Sequence, residues 1–191
     1  MVEKSKVYTR GGDTGETSLV SGTRCKKSDL RVDLYGEVDE LNSYIGLVHS
    51  HLKNQSEYFK KDSALILLIQ SSLFDLGSKL ACEFEFWEKY KLPEIKGKLI
   101  SDIENRIDEL DMELPKLKHF VLPGGDISAA SAHVVRTVCR RVERKLIAHK
   151  EMNLELPLNS VILLNRLSDY FFILARSLNF QNKIDEPKWI P

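Results

Sequence analysis

Leu34-Tyr35-Gly36-Glu37-Val38-Asp39-Glu40-Leu41-Asn42-Ser43-Tyr44-Ile45-Gly46-Leu47-Val48-His49-Ser50-His51-Leu52 is the stretch that decides the class of fold. Its apolar residues Leu34, Val38, Leu41, Ile45, Val48 and Leu52 recur at steps of four and three. That spacing lays them along one stripe of an amphipathic helix. The same rhythm returns in Leu65, Ile69, Leu73, Leu76, Leu80, and again in Ile100, Ile103, Ile107, Leu110, Leu114, where Pro115 stops it. A fourth helix is predicted from Asp126, as N-cap after Pro123-Gly124-Gly125, to about His149, with Ala130, Val134, Val138 and Val142 on its stripe. A fifth follows Pro157, with Asn159 as its cap and Leu164, Leu167, Phe171, Leu174 and Leu178 facing inward. Five such patterns without an alternating strand run predict an all-α protein: an up-and-down five-helix bundle, ferritin-like, preceded by an irregular glycine-rich segment.

The chain has 191 residues, enough for one well-buried core, and reads as a single domain. Residues 1–30 form its N-terminal segment and 31–182 the bundle. Lys+Arg and Asp+Glu both number 28, so no net field draws the chain to nucleic acid or to a membrane surface. Any bound anion must be held by a local cluster. Cys25, Cys82 and Cys139 are odd in number and widely spaced, which disfavours a disulfide framework and a paired-cysteine zinc site. They read as reduced thiols. No run of consecutive apolar residues reaches a membrane span of about 18, and a patterned motif begins by Tyr8, so the expected location is cytoplasmic.

On the fourth helix Arg136, Arg140, Glu143 and Arg144 share a face, while Arg141 lies off it. Clustered guanidinium groups need anions to answer them, and Arg suits bidentate phosphate contact. A solvated face with an intrahelical Glu143 ion pair remains the alternative. Asn165, Asp169, Phe172 and Arg176 make a polar line on the fifth helix, readable as a binding surface or as helix–helix hydrogen bonding. Asp39 and Asn42 flank the buried stripe of the first helix, where either can meet an arginine from another helix. Thr9-Arg10-Gly11-Gly12-Asp13-Thr14-Gly15-Glu16-Thr17-Ser18 combines backbone N–H groups, hydroxyls and a cation, with Lys27 downstream. Such a stretch suits a polyphosphate and equally suits a flexible tail. It has neither the Walker A spacing nor a strand–turn–helix context. A di-iron centre is disfavoured, because no glutamate has a histidine three residues later. Phe120-Val121-Leu122 is an apolar loop, either a staple on the fourth helix or a wall facing a large ligand.

Taken in order, these segments resemble the propanediol-utilisation type of ATP:cob(I)alamin adenosyltransferase. The resemblance rests on Tyr8–Thr17, Tyr35–Ser43, Phe120–Gly125, Arg136–Arg144 and Leu164–Tyr170, and it runs from Tyr8 to Asn179. It implies transfer of the 5′-deoxyadenosyl group of ATP to the cobalt of cob(I)alamin, with Mg²⁺ and with cob(II)alamin as the form to be reduced. It also implies a homotrimer with active sites between subunits, a reductase partner and an adenosylcobalamin-dependent enzyme downstream. By this resemblance Thr9, Arg10, Gly11, Gly12, Gly15, Thr17, Ser18 and Lys27 fold over the phosphates. Arg140, Arg141, Val142, Glu143, Arg144, Asn165 and Asp169 complete the nucleotide site. Asp39 pairs with Arg136 across the subunit contact, and Phe120 packs under the corrin and keeps the lower axial ligand off cobalt. The chain departs from the family at Gly11, where threonine is usual, losing a hydroxyl. The rival classes are a non-catalytic ATP- or cobalamin-binding carrier or regulator and a plain helical interaction protein.

Overall fold

A computed structural model describes residues 7, 8, 10–53 and 55–190. Five helices carry the fold: α1 (Leu30–Leu52), α2 (Lys60–Leu80), α3 (Gly97–Met112), α4 (Ile127–Glu151) and α5 (Ser160–Gln181). α1 starts a turn before its apolar stripe because the Asp29 carboxylate accepts the Arg31 N–H at 2.8 Å, and that exposed first turn needs no core residue. Asp126 caps α4 in the same way, accepting from the Ser128 N–H at 2.8 Å. α3 ends at Met112, just ahead of Pro115. Asn159 occupies the cap position of α5, but not as a side-chain cap. Its backbone is left-handed (φ 66°), and its amide instead donates to the Ile95 carbonyl at 3.1 Å, tying the α4–α5 connection to the start of α3.

Contacts across the helices fix their directions. Arg141 meets Glu37, Lys145 meets Asp33 and His149 meets the Leu30 carbonyl, so α1 and α4 are antiparallel. Asn42 with Gln70 and His49 with Ser63 set α2 against α1. Asn165 with Glu143 sets α5 against α4. Arg166 with Glu104 and Arg176 with the Pro115 carbonyl place α3 and α5 side by side in the same sense. The helices therefore alternate up and down, as expected for an up-and-down bundle. The predicted stripes of α1, α2 and α5 are buried. On α4 the inward face is rotated from the predicted one: Ala129, Ala132, Val135, Val138, Cys139, Val142 and Leu146 are buried, and Val134 is exposed.

A buried polar clamp joins α2, α3 and α5. Arg106 donates from Nε and Nη2 to the two oxygens of Asp62 at 3.0 and 2.5 Å, and the Tyr170 hydroxyl donates to Asp62 Oδ1 at 2.9 Å. All three side chains are satisfied, so the pair fixes helix register without leaving a stranded charge. Glu57–Leu80, with a mean hydropathy of 1.2, is long and apolar enough to cross a membrane. Its stripe Leu65, Ile66, Ile69, Leu73, Leu76 and Leu80 is instead buried in the bundle.

The N-terminal segment is not irregular throughout. Glu16–Ser18 (β1) and Arg24–Lys26 (β2) pair antiparallel, with Thr17 opposite Cys25. The hairpin is fastened at the α2 end by the Val20 N–H to the Ala81 carbonyl at 2.8 Å. The segment from residue 83 to 96 is a loop, as its broken period predicts, but a well-anchored one. Trp87 Nε1 donates to the Lys79 and Cys82 carbonyls, both at 3.1 Å, and its ring covers the buried Lys79 ammonium, which pairs with Glu94. Tyr90 then donates to the Ser21 carbonyl at 3.3 Å, so this loop braces the hairpin. Cys25, Cys82 and Cys139 are all free thiols.

Gly125 closes the turn into α4 at φ 98°, and a Cβ built there would overlap the Asn179 side chain. Gly125→Ala is expected to destabilise the protein by about 1–3 kcal/mol, since strain and overlap act together. Thermal denaturation checks this, and an unchanged melting temperature would contradict it.

Candidate active site

Three surfaces carry most of the residues singled out in the sequence. The first is the α4/α5 flank. Arg136 is half-buried, Arg140 and Arg144 are exposed, and no carboxylate among the described residues pairs with any of them. Glu143 makes no ion pair with its neighbouring arginines. It accepts from the Asn165 amide at 3.2 Å, which fixes the α4/α5 contact beside the arginine row. Arg136 Nε is buried without a hydrogen-bond partner, and burial, with the charge of Arg140 adding, lowers the guanidinium pKa. Like charges one turn apart cost energy until an anion meets them. His133, one turn before Arg136, is buried beneath Phe172 with both ring nitrogens unpartnered. Burial first, then the Arg136 charge, brings its pKa down to about 4, so the ring is neutral at physiological pH.

Three residues placed in the nucleotide site by resemblance face elsewhere. Val142 is in the core with no exposed surface, so its side chain is unavailable to a ligand. Arg141 points to α1, where it donates to Glu37 at 2.7 Å and Glu40 at 2.6 Å. Asp169 is turned toward α3 and is held at 3.1 Å by Arg166, which also binds Glu104. Residues adjacent in a helix point about 100° apart, so a continuous motif must include faces the site does not use.

The second surface is the hairpin. Arg10, Gly11, Gly15, Ser18 and Lys27 are exposed there, and Gly12 and Thr17 are half-buried. Thr9 lies outside the described residues. Lys27 folds back over the loop: a Cβ on Gly12 would come within 3.2 Å of Lys27 Nζ, and the Lys27 N–H donates to the Gly15 carbonyl at 2.8 Å. Arg24, which the sequence reading passed over, organises this loop. Its guanidinium donates to the Gly11 carbonyl at 2.8 Å, to Ser18 Oγ at 3.3 Å and to Glu16 at 3.3 Å. The available signal was its place two residues before Lys26 on the returning strand, across a glycine turn from the hydroxyl-rich one. Loop cations and hydroxyls are therefore gathered on one preformed hairpin.

The third surface is the far end of the bundle, beside the end of α5. Phe120 is 77% exposed and meets Trp189 edge-on, with ring centroids 6.1 Å apart. The C-terminal tail lies along this loop. The Leu122 N–H donates to the Pro187 carbonyl at 2.8 Å, and the Trp189 N–H donates to the Phe120 carbonyl at 2.9 Å. Phe120 is thus not a staple tucked onto α4. Trp189 was missed because a tail carries no period, although Pro187-Lys188-Trp189-Ile190 is conspicuously apolar for a chain end.

In one chain these surfaces are separate. The hairpin is attached to the end of α2, Phe120 is at the other end, and the arginine row occupies the α4/α5 flank. Asp39 is exposed on α1, on the α1/α2 side, beside an apolar groove lined by Tyr35, Val38, Leu73, Phe74 and Gly77. No hydrogen bond or ion pair among the described residues joins Asp39 to Arg136, and Lys27 is on the hairpin while Arg140 is on the α4/α5 flank.

The class follows from this layout: a mostly-α bundle with a buried apolar core, whose candidate polar and aromatic surfaces all lie on the outside. Residues 7–178 match the family model described as cobalamin adenosyltransferase, and the chain belongs to that family. It is 44% identical over 184 residues to a corrinoid adenosyltransferase of Bacillus subtilis, covering 96% of this chain and 92% of that one. A cobalamin adenosyltransferase of Cupriavidus metallidurans is 42% identical over 177 residues, covering 92% and 89%. Among solved structures it is similar to a phenylalanine-to-alanine variant of a PduO-type ATP:corrinoid adenosyltransferase from Lactobacillus reuteri, complexed with cobalamin and ATP. That similarity has a TM-score of 0.88 and 34% identity, over 97% of this chain and 100% of that one.

Proposed function

We propose that this chain transfers the 5′-deoxyadenosyl group of ATP to the cobalt of cob(I)alamin, forming adenosylcobalamin and releasing triphosphate. The observation that carries this reading is the row of guanidinium groups on the α4/α5 flank, which no carboxylate among the described residues answers. The structure similar to this one holds cobalamin and ATP, the two substrates of that reaction.

The bond that forms is cobalt to C5′, using the electron pair of cob(I)alamin; the bond that breaks is C5′ to the triphosphate oxygen. The metal is already a strong nucleophile, so no general base is required of the protein. Its work is placement and charge. Holding C5′ in line with cobalt contributes about 7–11 kcal/mol through proximity and orientation. Arg140, Arg144, Arg10 and Lys27 neutralise charge growing on the leaving oxygen. Mg²⁺ would enter with the triphosphate, held by phosphate oxygens beside Arg140, Arg144, Arg10 and Lys27. When bound, it adds positive charge at the phosphates.

The separation of the surfaces supports sites formed between copies, in the homotrimer that the family resemblance implies. The hairpin of one copy, with Asp39, meets the arginine row and Arg136 of the next, and the exposed apolar side chains of α2, led by Phe74 at 69%, supply area to bury. Residues 1–30 act as the phosphate-binding segment and 31–182 as the bundle of one domain. Phe120 is the apolar wall under the corrin. The reaction requires an electron donor for cob(II)alamin and an enzyme that consumes adenosylcobalamin. Three free thiols fit a reducing, cytoplasmic setting.

Incubation with pre-reduced cob(I)alamin and ATP, followed by corrin absorbance, is expected to show stoichiometric conversion to adenosylcobalamin. Tight binding of either substrate without that spectral change would make the protein a carrier and refute the proposal.

A further inference from the structure

Arg176 and Asn179 stand three residues apart in the last turns of α5, and both are buried, at 3% and 0% exposure. Arg176 Nη2 donates to the Pro115 carbonyl at 2.8 Å, and its Nε donates to Glu186 Oε2 at 3.3 Å. Pro115 begins the segment that leads to Phe120, and Glu186 begins the one that leads to Trp189. The two segments then meet through the Leu122–Pro187 and Trp189–Phe120 backbone hydrogen bonds and the contact of the two rings. Asn179 supports the same end from behind, donating to the Gly124 carbonyl at 3.0 Å and accepting from the Asp126 N–H at 2.9 Å.

We propose that Arg176 is a positioning residue for the corrin end of the site: one guanidinium fixes both chain segments that carry Phe120 and Trp189. The proposal rests on the reading of Phe120 as the corrin wall. Burying a charge pair to close a chain end is a poor way to gain stability, since an apolar contact of the same volume serves as well or better. What the pair supplies is geometry, because a planar fork with two acceptors in fixed directions permits one arrangement of the two segments. Ile184, Trp189 and Ile190 are all exposed, so the strap from Lys183 to Ile190 is held mainly by polar contacts: its backbone hydrogen bonds to Asn179, Phe120 and Leu122, and the Arg176–Glu186 pair.

Arg176→Ala would strand the Glu186 carboxylate and risks the fold, so the primary test is Glu186→Gln in the full-length protein, with Arg176→Lys as the conservative companion. Hydrogen exchange read by mass spectrometry reports the amides of Leu122 and Trp189. Glu186→Gln is expected to speed their exchange several-fold, up to about tenfold, because the charged carboxylate facing Arg176 Nε becomes a neutral amide that accepts more weakly. KM for the corrinoid should rise by a similar factor, KM for ATP should not change, and exchange in α1 and α4 should be unaffected. Arg176→Lys, which keeps the charge but cannot fork, should fall between the two proteins. A merely structural role would change both KM values together. Unchanged exchange at Leu122 and Trp189, or faster exchange with an unchanged corrinoid KM, overturns the proposal. Phe120→Ala run in parallel separates the levels: if it leaves corrinoid kinetics untouched, the corrin-wall reading falls and takes the role of Arg176 with it. If Phe120→Ala is impaired and Glu186→Gln is not, only the role of Arg176 is lost.

Discussion

Replacing Arg140 with alanine is expected to lower turnover by about 10²–10³-fold, the scale set by removing one preorganised donor from a site of developing charge. The melting temperature and the helical circular dichroism should not move. Arg140 is exposed and has no ion-pair partner among the described residues, so its loss breaks no folded-state contact. It also removes the charge that disfavours ionised Arg136 one turn away, so stability changes by no more than about 0.5 kcal/mol. Arg140→Lys should recover only part of the activity, because a single ammonium does not reproduce a two-pronged contact with phosphate oxygens. Steady-state kinetics with ATP varied at saturating corrinoid makes the measurement. Normal turnover in Arg140→Ala would remove the phosphate role of this flank.

The second large effect concerns Phe120→Ala and depends on the oxidation state supplied. With pre-reduced cob(I)alamin the loss should be modest. With cob(II)alamin and a reductant it should be greater by at least about tenfold, equivalent to about 59 mV in a one-electron couple. An axial ligand pushes electron density onto cobalt and makes reduction harder; an apolar wall that cannot ligate keeps that position empty. The ring is 77% exposed and meets Trp189 in a T-shaped contact, so its surface is not spent on the core. Its removal should therefore leave the bundle as stable as before. Equal losses in the two assays would eliminate the argument from ligand-free cobalt.

The bundle was legible because core helices write a three-four rhythm that tolerates errors of a residue or two. α3 and α4 ended close to where Pro115 and the region of His149 put them. The rotation of α4 escaped because Ala130 and Val134 fit the same rhythm as Ala129 and Val135, and only packing against α1 and α5 chooses between neighbouring stripes. The hairpin escaped for another reason: strands of three residues are too short to show alternation. The shared flank of Arg136, Arg140, Glu143 and Arg144 was legible because one helix face holds them. Side-chain direction was not legible where a neighbour captured the group. Asp169 lies four residues from Asn165, yet Arg166 draws it to α3; Arg141 is claimed by two glutamates of α1. Arg176 was visible as part of a polar line, but its partners, the Pro115 carbonyl and Glu186, come from segments with no pattern.

The placement of the three cysteines has a chemical consequence. Sulfur anions are good ligands for cobalt in its higher oxidation states, and it is the anion rather than the thiol that binds metal. Burial raises the pKa of Cys82 and Cys139, and burial with the nearby Asp29 charge raises that of Cys25. Cys139 lies within the arginine-bearing stretch of α4, but it faces the core with no exposed surface. Cys82 and Cys139 are thereby held in the folded chain as buried thiols rather than thiolates, and only Cys25, half-buried on the hairpin, has a sulfur near the surface.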